Sequence, residues 1–95
     1  MKKVKILWTD DEIDLLKPHI LFLEAKGFDL SVSSNGDDAI EMVKKNDFDL
    51  IFLDENMPGL SGLQTLTYIK EIKPEIPVIM ITKNEEEDIM EEESN

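Results

Sequence analysis

The sequence predicts an α/β fold built on a doubly wound parallel sheet. Strand-like and helix-like stretches alternate four times within 95 residues and are joined by short connections, the signature of right-handed βαβ units. The stretch Asp49–Asp54 is continuously apolar between its terminal aspartates, as a central parallel strand covered on both faces should be. Acidic or hydroxyl residues close three of the four strand-like runs, and open parallel sheets bind their ligands outside those ends.

Each element has its own signal. Residues 4–9 form a short apolar run that ends in Asp10-Asp11, a buried strand delivering carboxylates at its C-terminal end. From Ile13 the period becomes helical: Ile13, Leu16, Ile20 and Leu23 share one face, and Gly27 stops the helix after Lys26. Pro18 interrupts that pattern, because it deletes an interior hydrogen bond; it predicts a kink or a later helix start. Leu30 and Val32 alternate with polar residues in a second, short strand. Asn35-Gly36-Asp37 supplies turn and N-cap chemistry for a helix carrying Ala39, Ile40 and Val43. Met57 to Gly62 reads as loop, followed by Leu63, Leu66, Ile69 and Ile72 at helical spacing as far as Pro74. Pro77–Thr82 is the fourth strand, and 88–93 is expected to form an acidic helix. There is no internal repeat and no interdomain linker.

Composition excludes several function classes. Single domains usually run to about 100–150 residues, so this chain makes one domain with a small core. Hydrophobic residues make up 41% and lie in separate runs, which is globular rather than disordered or membrane-spanning. No run approaches the roughly 18 apolar residues of a membrane helix. Lys2, Lys3 and Lys5 precede an apolar stretch too short for a signal peptide, so a cytoplasmic address is expected. The absence of cysteine excludes disulfides, thiolate metal sites and thiol nucleophiles. A net charge of −12 argues against direct nucleic-acid binding, and all ten cations are lysine, so no arginine can clamp a phosphate bidentately. The carboxylate-rich stretch 85–95 reads as a solvated face or tail.

The chemistry lies in the polar residues at the strand ends. Asp10 and Asp11 follow the first strand, Asp54 ends the third and Thr82 ends the fourth, so the topology brings them to one edge. Oxygen ligands without histidine or cysteine suit Mg2+ or Mn2+ better than zinc or copper. Without a cation, mutual repulsion weakens the fold or makes one carboxylate hold a proton. A cation screens the charge that builds up when the Asp54 carboxylate attacks a phosphoryl group, and the Thr82 hydroxyl can donate to a phosphoryl oxygen. Any one of these aspartates alone reads as an N-cap or turn carboxylate; three at successive strand ends outweigh that reading.

Thr9-Asp10-Asp11-Glu12, then Leu53-Asp54-Glu55-Asn56-Met57-Pro58-Gly59 with Ser61-Gly62, then Ile79-Met80-Ile81-Thr82, resemble the response regulator receiver family. The likeness runs from about Lys3 to Glu92, nearly the whole chain, and implies the CheY-like (flavodoxin-like) doubly wound sheet. The segment from Lys5 to Glu24, together with Leu53 to Pro58, is similar in particular to the receivers of PorX-type two-component regulators. The resemblance implies that Asp54 is the phosphoacceptor, that Asp11 binds Mg2+ directly, and that Asp10 is its partner, often through water. It further implies that the Asn56 backbone carbonyl completes the metal site and that Thr82 is the switch hydroxyl. The donor would be a phosphohistidine on a sensor histidine kinase, with small phosphodonors supporting self-phosphorylation, and transfer would be an in-line displacement. Phosphorylation would draw Thr82 inward and reshape the surface around the fourth helix. A PorX-type parent would carry a C-terminal effector domain of alkaline-phosphatase-like type.

The family pattern continues with a fourth helix, a fifth strand ending in lysine, an aromatic switch position and a fifth helix. Residues 1–95 are therefore expected to be a receiver domain truncated after the fourth strand and the start of the fourth helix. Lys83 is a poor substitute for the absent lysine, since adjacent strand residues point to opposite faces. An apolar fourth strand left at the sheet edge predicts a homodimer or domain swap, or else a longer parent with an output domain. Two other classes compete. A magnesium-dependent phosphatase would offer an Asp-x-Asp pair and a cap, whereas Asp54 is followed by Glu55-Asn56. A pseudo-receiver, an interaction module without phosphotransfer, fits the missing lysine but not the complete acid triad. His19, beside Pro18, reads as surface or packing rather than a relay histidine. Trp8 reads as core or packed near the pocket, and Met42, Met57, Met80 and Met90 as core filler. Pro58-Gly59 shapes a turn near Asp54, while Gly36 and Gly62 are turn or helix-start glycines; no run cradles a nucleotide.

Overall fold

A computed structural model describes residues 2–82. Four strands, β1 (Lys5–Thr9), β2 (Asp29–Ser33), β3 (Leu50–Asp54) and β4 (Val78–Ile81), form one wholly parallel sheet in the order β2-β1-β3-β4. The strands fall where the sequence predicts them; β1, β3 and β4 are trimmed by a residue at one or both ends, and β2 extends to either side of Leu30 and Val32. The helices α1 (Lys17–Ala25), α2 (Gly36–Lys45) and α3 (Gly62–Ile72) make the crossovers. None of the described helices is long and apolar enough to cross a membrane. Lys83 and the expected acidic helix at 88–93 lie outside the described residues.

Pro18 decides how the first crossover begins. Ile13–Leu16 form a single 3-10 turn, and α1 starts only at Lys17, with Pro18 in its first turn. A proline there surrenders an N–H that has no intrahelical partner in any case. The helix expected from Ile13 is therefore delayed rather than kinked. Leu16 at its N-cap offers no side-chain hydrogen bond, and no residue of α1 is buried. The other two helices start on firm caps. Asn35 accepts from the Asp38 N–H at 2.8 Å. Ser61 and Gln64 form a reciprocal capping box, at 3.1 and 2.9 Å.

The core lies between the sheet and the pair α2 and α3. Leu7, Ile51 and Leu53 from the central strands meet Ala39, Val43 and Ile69 from the helices, all fully buried. Each larger side chain removed from water in this way stabilises the fold by roughly 1.5–3 kcal/mol. Alternate residues of the same strands form the opposite face. There the register sets Trp8 beside Phe52 and Phe52 beside Ile79 across β1, β3 and β4. With Phe22 and Leu23 of α1 they line an apolar cavity of about 360 Å³.

Candidate carboxylate site

All three predicted acids gather at the C-terminal ends of the two central strands. Asp10 and Asp54 are buried, 1% and 0% exposed, whereas Asp11 is exposed. One carboxylate oxygen from each of Asp10, Asp11 and Asp54 lies within 4.8 Å of the others. The chain holds them there through the strand termini. The Asp10 N–H donates to the Ser33 carbonyl at 3.1 Å, tying the end of β1 to β2. Below it, the buried hydroxyls of Thr9 and Ser33 share a 2.6 Å hydrogen bond. Asp10 Oδ1 accepts the Glu12 N–H at 2.8 Å, so Asp10 also fills the turn role that a lone aspartate would suggest.

The loop after β3 is fixed from several sides. Asp54 Oδ1 accepts the Asn56 N–H at 3.2 Å. The Glu55 N–H donates to the Ile81 carbonyl at 2.9 Å, and the Glu55 carbonyl accepts the Gly62 N–H at 3.0 Å. Asn56 is exposed and Met57 is 8% exposed, anchoring the loop in the core as its reading as filler anticipated. Thr82 follows Ile81, which pairs with Asp54, so the hydroxyl residue stands at the same end of the sheet, one position beyond the acid. His19 is exposed, with its ring edge-on to Trp8 at 6.5 Å, in line with its reading as a surface or packing residue. The Thr9–Ser33 pair and the backbone contacts of Gly62 were not anticipated; they depend on which strands are neighbours, which no local pattern encodes.

Three carboxylates this close, two of them buried, repel one another, and a bound cation would offset that repulsion. An all-oxygen donor set at this spacing fits a hard divalent ion such as Mg2+ or Mn2+. Far from the cluster, exposed Asp47 is held below the ordinary carboxylate range by the hydrogen bond and the charge of Lys73, whose Nζ lies at 2.8 Å.

The fold and site together define an α/β domain of CheY-like architecture with an acid cluster at the carboxyl edge of a parallel sheet. The family model described as the response regulator receiver domain matches residues 6–94, and the chain belongs to that family. It is 35% identical over 83 residues to a transcriptional regulatory protein, the CpxR homolog of Haemophilus influenzae, covering 87% of this chain and 36% of the relative. It is 36% identical over 85 residues to ResD of Bacillus subtilis, covering 90% of this chain and 35% of ResD. The chain thus spans about a third of the length of the curated relatives it matches. Among solved structures, the response regulator TrrA of Thermotoga maritima in complex with Mg(2+)-BeF superposes with a TM-score of 0.77 at 31% identity, over 85% of this chain and 70% of that one. A complex of the histidine kinase ThkA with TrrA gives the same TM-score and identity over 85% of this chain and 69% of that one. A CheY-like receiver from Methanospirillum hungatei, at 22% identity, has a TM-score of 0.81 over 85% of this chain and 65% of that one, a likeness of fold.

Proposed function

We propose that this domain accepts a phosphoryl group on Asp54 from a phosphohistidine of a sensor histidine kinase. The observation that carries the reading is the convergence of the Asp10, Asp11 and Asp54 oxygens within 4.8 Å. Asp10, Asp11 and Asp54, with the Asn56 backbone carbonyl, would hold Mg2+ or Mn2+. The ion supplies charge neutralisation for the carboxylate and the incoming phosphoryl oxygens. In the transfer, an Asp54 oxygen forms the new O–P bond while the P–N bond of the donor breaks, and the imidazole leaves with the electron pair and takes up a proton. The Thr82 hydroxyl donates to a phosphoryl oxygen. The same chemistry accounts for magnesium-dependent self-phosphorylation from small phosphodonors rather than turnover of a substrate.

The wider reading is that of a cytoplasmic signalling module within a longer protein, where the domain controls an output domain and does not itself touch nucleic acid. The solved kinase complex of TrrA supports a kinase partner. The length of the relatives supports an attached output domain. The run from Lys5 to Glu24 supports the PorX-type subgroup. β4, outermost of the described strands, offers an edge for pairing with a second copy. Light scattering tests that pairing: a monomer at every concentration rejects it.

The decisive experiment is intact mass after incubation with acetyl phosphate or phosphoramidate. A phosphate-sized gain that needs Mg2+ and disappears in Asp54→Asn is expected. If only a form extended past Asn95 gains mass, residues 1–95 lack part of the site. If neither form gains mass, the pseudo-receiver reading replaces phosphotransfer.

A further inference from the structure

Gly36 and Gly62 each open a helix on the packed face, and each stands where a Cβ has no room. Neither has a positive φ, so space rather than backbone freedom demands glycine at both. The obstacles differ. A Cβ at Gly36 would meet side chains: Thr65 Oγ1 at 2.2 Å and Leu60 Cβ at 3.0 Å. A Cβ at Gly62 would meet backbone: the Asp54 carbonyl oxygen at 2.3 Å and Glu55 Cα at 2.7 Å, with the flexible end of Met80 at 3.0 Å. The Gly62 N–H also donates to the Glu55 carbonyl at 3.0 Å, so the two ends of the 55–62 loop touch.

We infer that Gly62 is a positioning residue for the carboxylate cluster. Lacking a side chain, it lets the first turn of α3 rest on the backbone of Asp54 and Glu55. That seat sets where the Asp54 carboxylate and the Asn56 loop stand relative to Asp10 and Asp11. A methyl group at 2.3 Å from a carbonyl oxygen cannot be absorbed by a rotamer change; the end of β3 or the start of α3 has to move. Sites of this kind tolerate displacements of only about 0.5 Å. The inference rests on the reading of the cluster as a cation site and adds the residue that holds it in register.

The test is Mn2+ binding to the full chain, read from the spin-resonance signal of free Mn2+, with urea unfolding in parallel. Native protein, Gly62→Ala and Gly36→Ala are compared in trimethylamine N-oxide, which favours the folded state. Gly62→Ala is expected to fold and to bind Mn2+ roughly 10- to 100-fold more weakly, the usual loss when a supporting residue behind a metal ligand is changed. Gly36→Ala is expected to lose stability while keeping native Mn2+ affinity. Native affinity in Gly62→Ala overturns the inference alone. So does an equal loss of affinity in Gly36→Ala, or failure of Gly62→Ala to fold where Gly36→Ala folds, since the glycine then serves the fold and not the site. No Mn2+ binding by the native chain overturns the cation reading itself and the inference with it.

Discussion

Alternate residues of the same strands build the two faces of the sheet, yet the faces are finished differently. On one, Leu7, Ile51 and Leu53 are fully buried under α2 and α3, and both helices begin on side-chain caps. On the other, Trp8, Phe52 and Ile79 stand in a row that stays partly open, and α1 has neither a side-chain cap nor a buried residue. Phe22 and Leu21 of α1 are 60% and 59% exposed. Where local signals and burial agree, an element is specified twice over; where they do not, it depends on whatever packs against it.

The comparison can be broken most directly with neighbouring residues of β3. Ile51→Ala on the packed face is expected to cost about 2–5 kcal/mol in urea unfolding. Phe52→Ala on the open face should cost less despite removing more atoms, since part of that ring is already in water. Equal losses would mean that the open face is covered in solution. Next in size is the cap: Ser61→Ala removes one half of the capping box and should cost about 1 kcal/mol. Native-state hydrogen exchange should then find the amides of α1 opening more readily than those of α2 and α3; equal protection across the three would erase the distinction. Ile79→Lys, placing a charge on the open row, should alter stability by no more than about 0.5 kcal/mol.

The smallest expected effect belongs to Asp47 and Lys73, which join the far ends of the two packed helices. Folding lowers the affinity of Asp47 for a proton, so its contribution is present above the unfolded-state pKa and disappears as pH falls through the lower folded value. Asp47 is 97% exposed, so Asp47→Asn should shift the unfolding midpoint only slightly at neutral pH and not at all in strong salt. A salt-independent loss would contradict that account.

Much of this arrangement is legible in the sequence. The apolar run into Asp54 announces a central strand, and Asn35 and Ser61 mark where α2 and α3 begin. The acids could be assigned to one edge because parallel topology sends every strand end to the same side. Pro18 announced a disturbance but not its form, since a kink and a delayed start satisfy proline equally well until tertiary packing chooses. Gly62 reads only as a turn or helix-start glycine, because its contact with Asp54 depends on how α3 is seated across the sheet. The contrast between the faces was likewise hidden: Phe52 and Leu53 are both large and apolar, and only their neighbours distinguish them.

The chain contains a single tryptophan, and it lies in the open row. Trp8 stands 5.1 Å from the Phe52 ring and 6.5 Å from that of His19, with its Nε1 buried and no hydrogen-bond partner among the described residues. Its ultraviolet emission is therefore a built-in optical gauge of that side, while the packed side contributes no indole signal. A titrant that changes the emission colour and leaves circular dichroism untouched has altered the surroundings of the indole with the sheet intact; one that changes both together has melted the sheet.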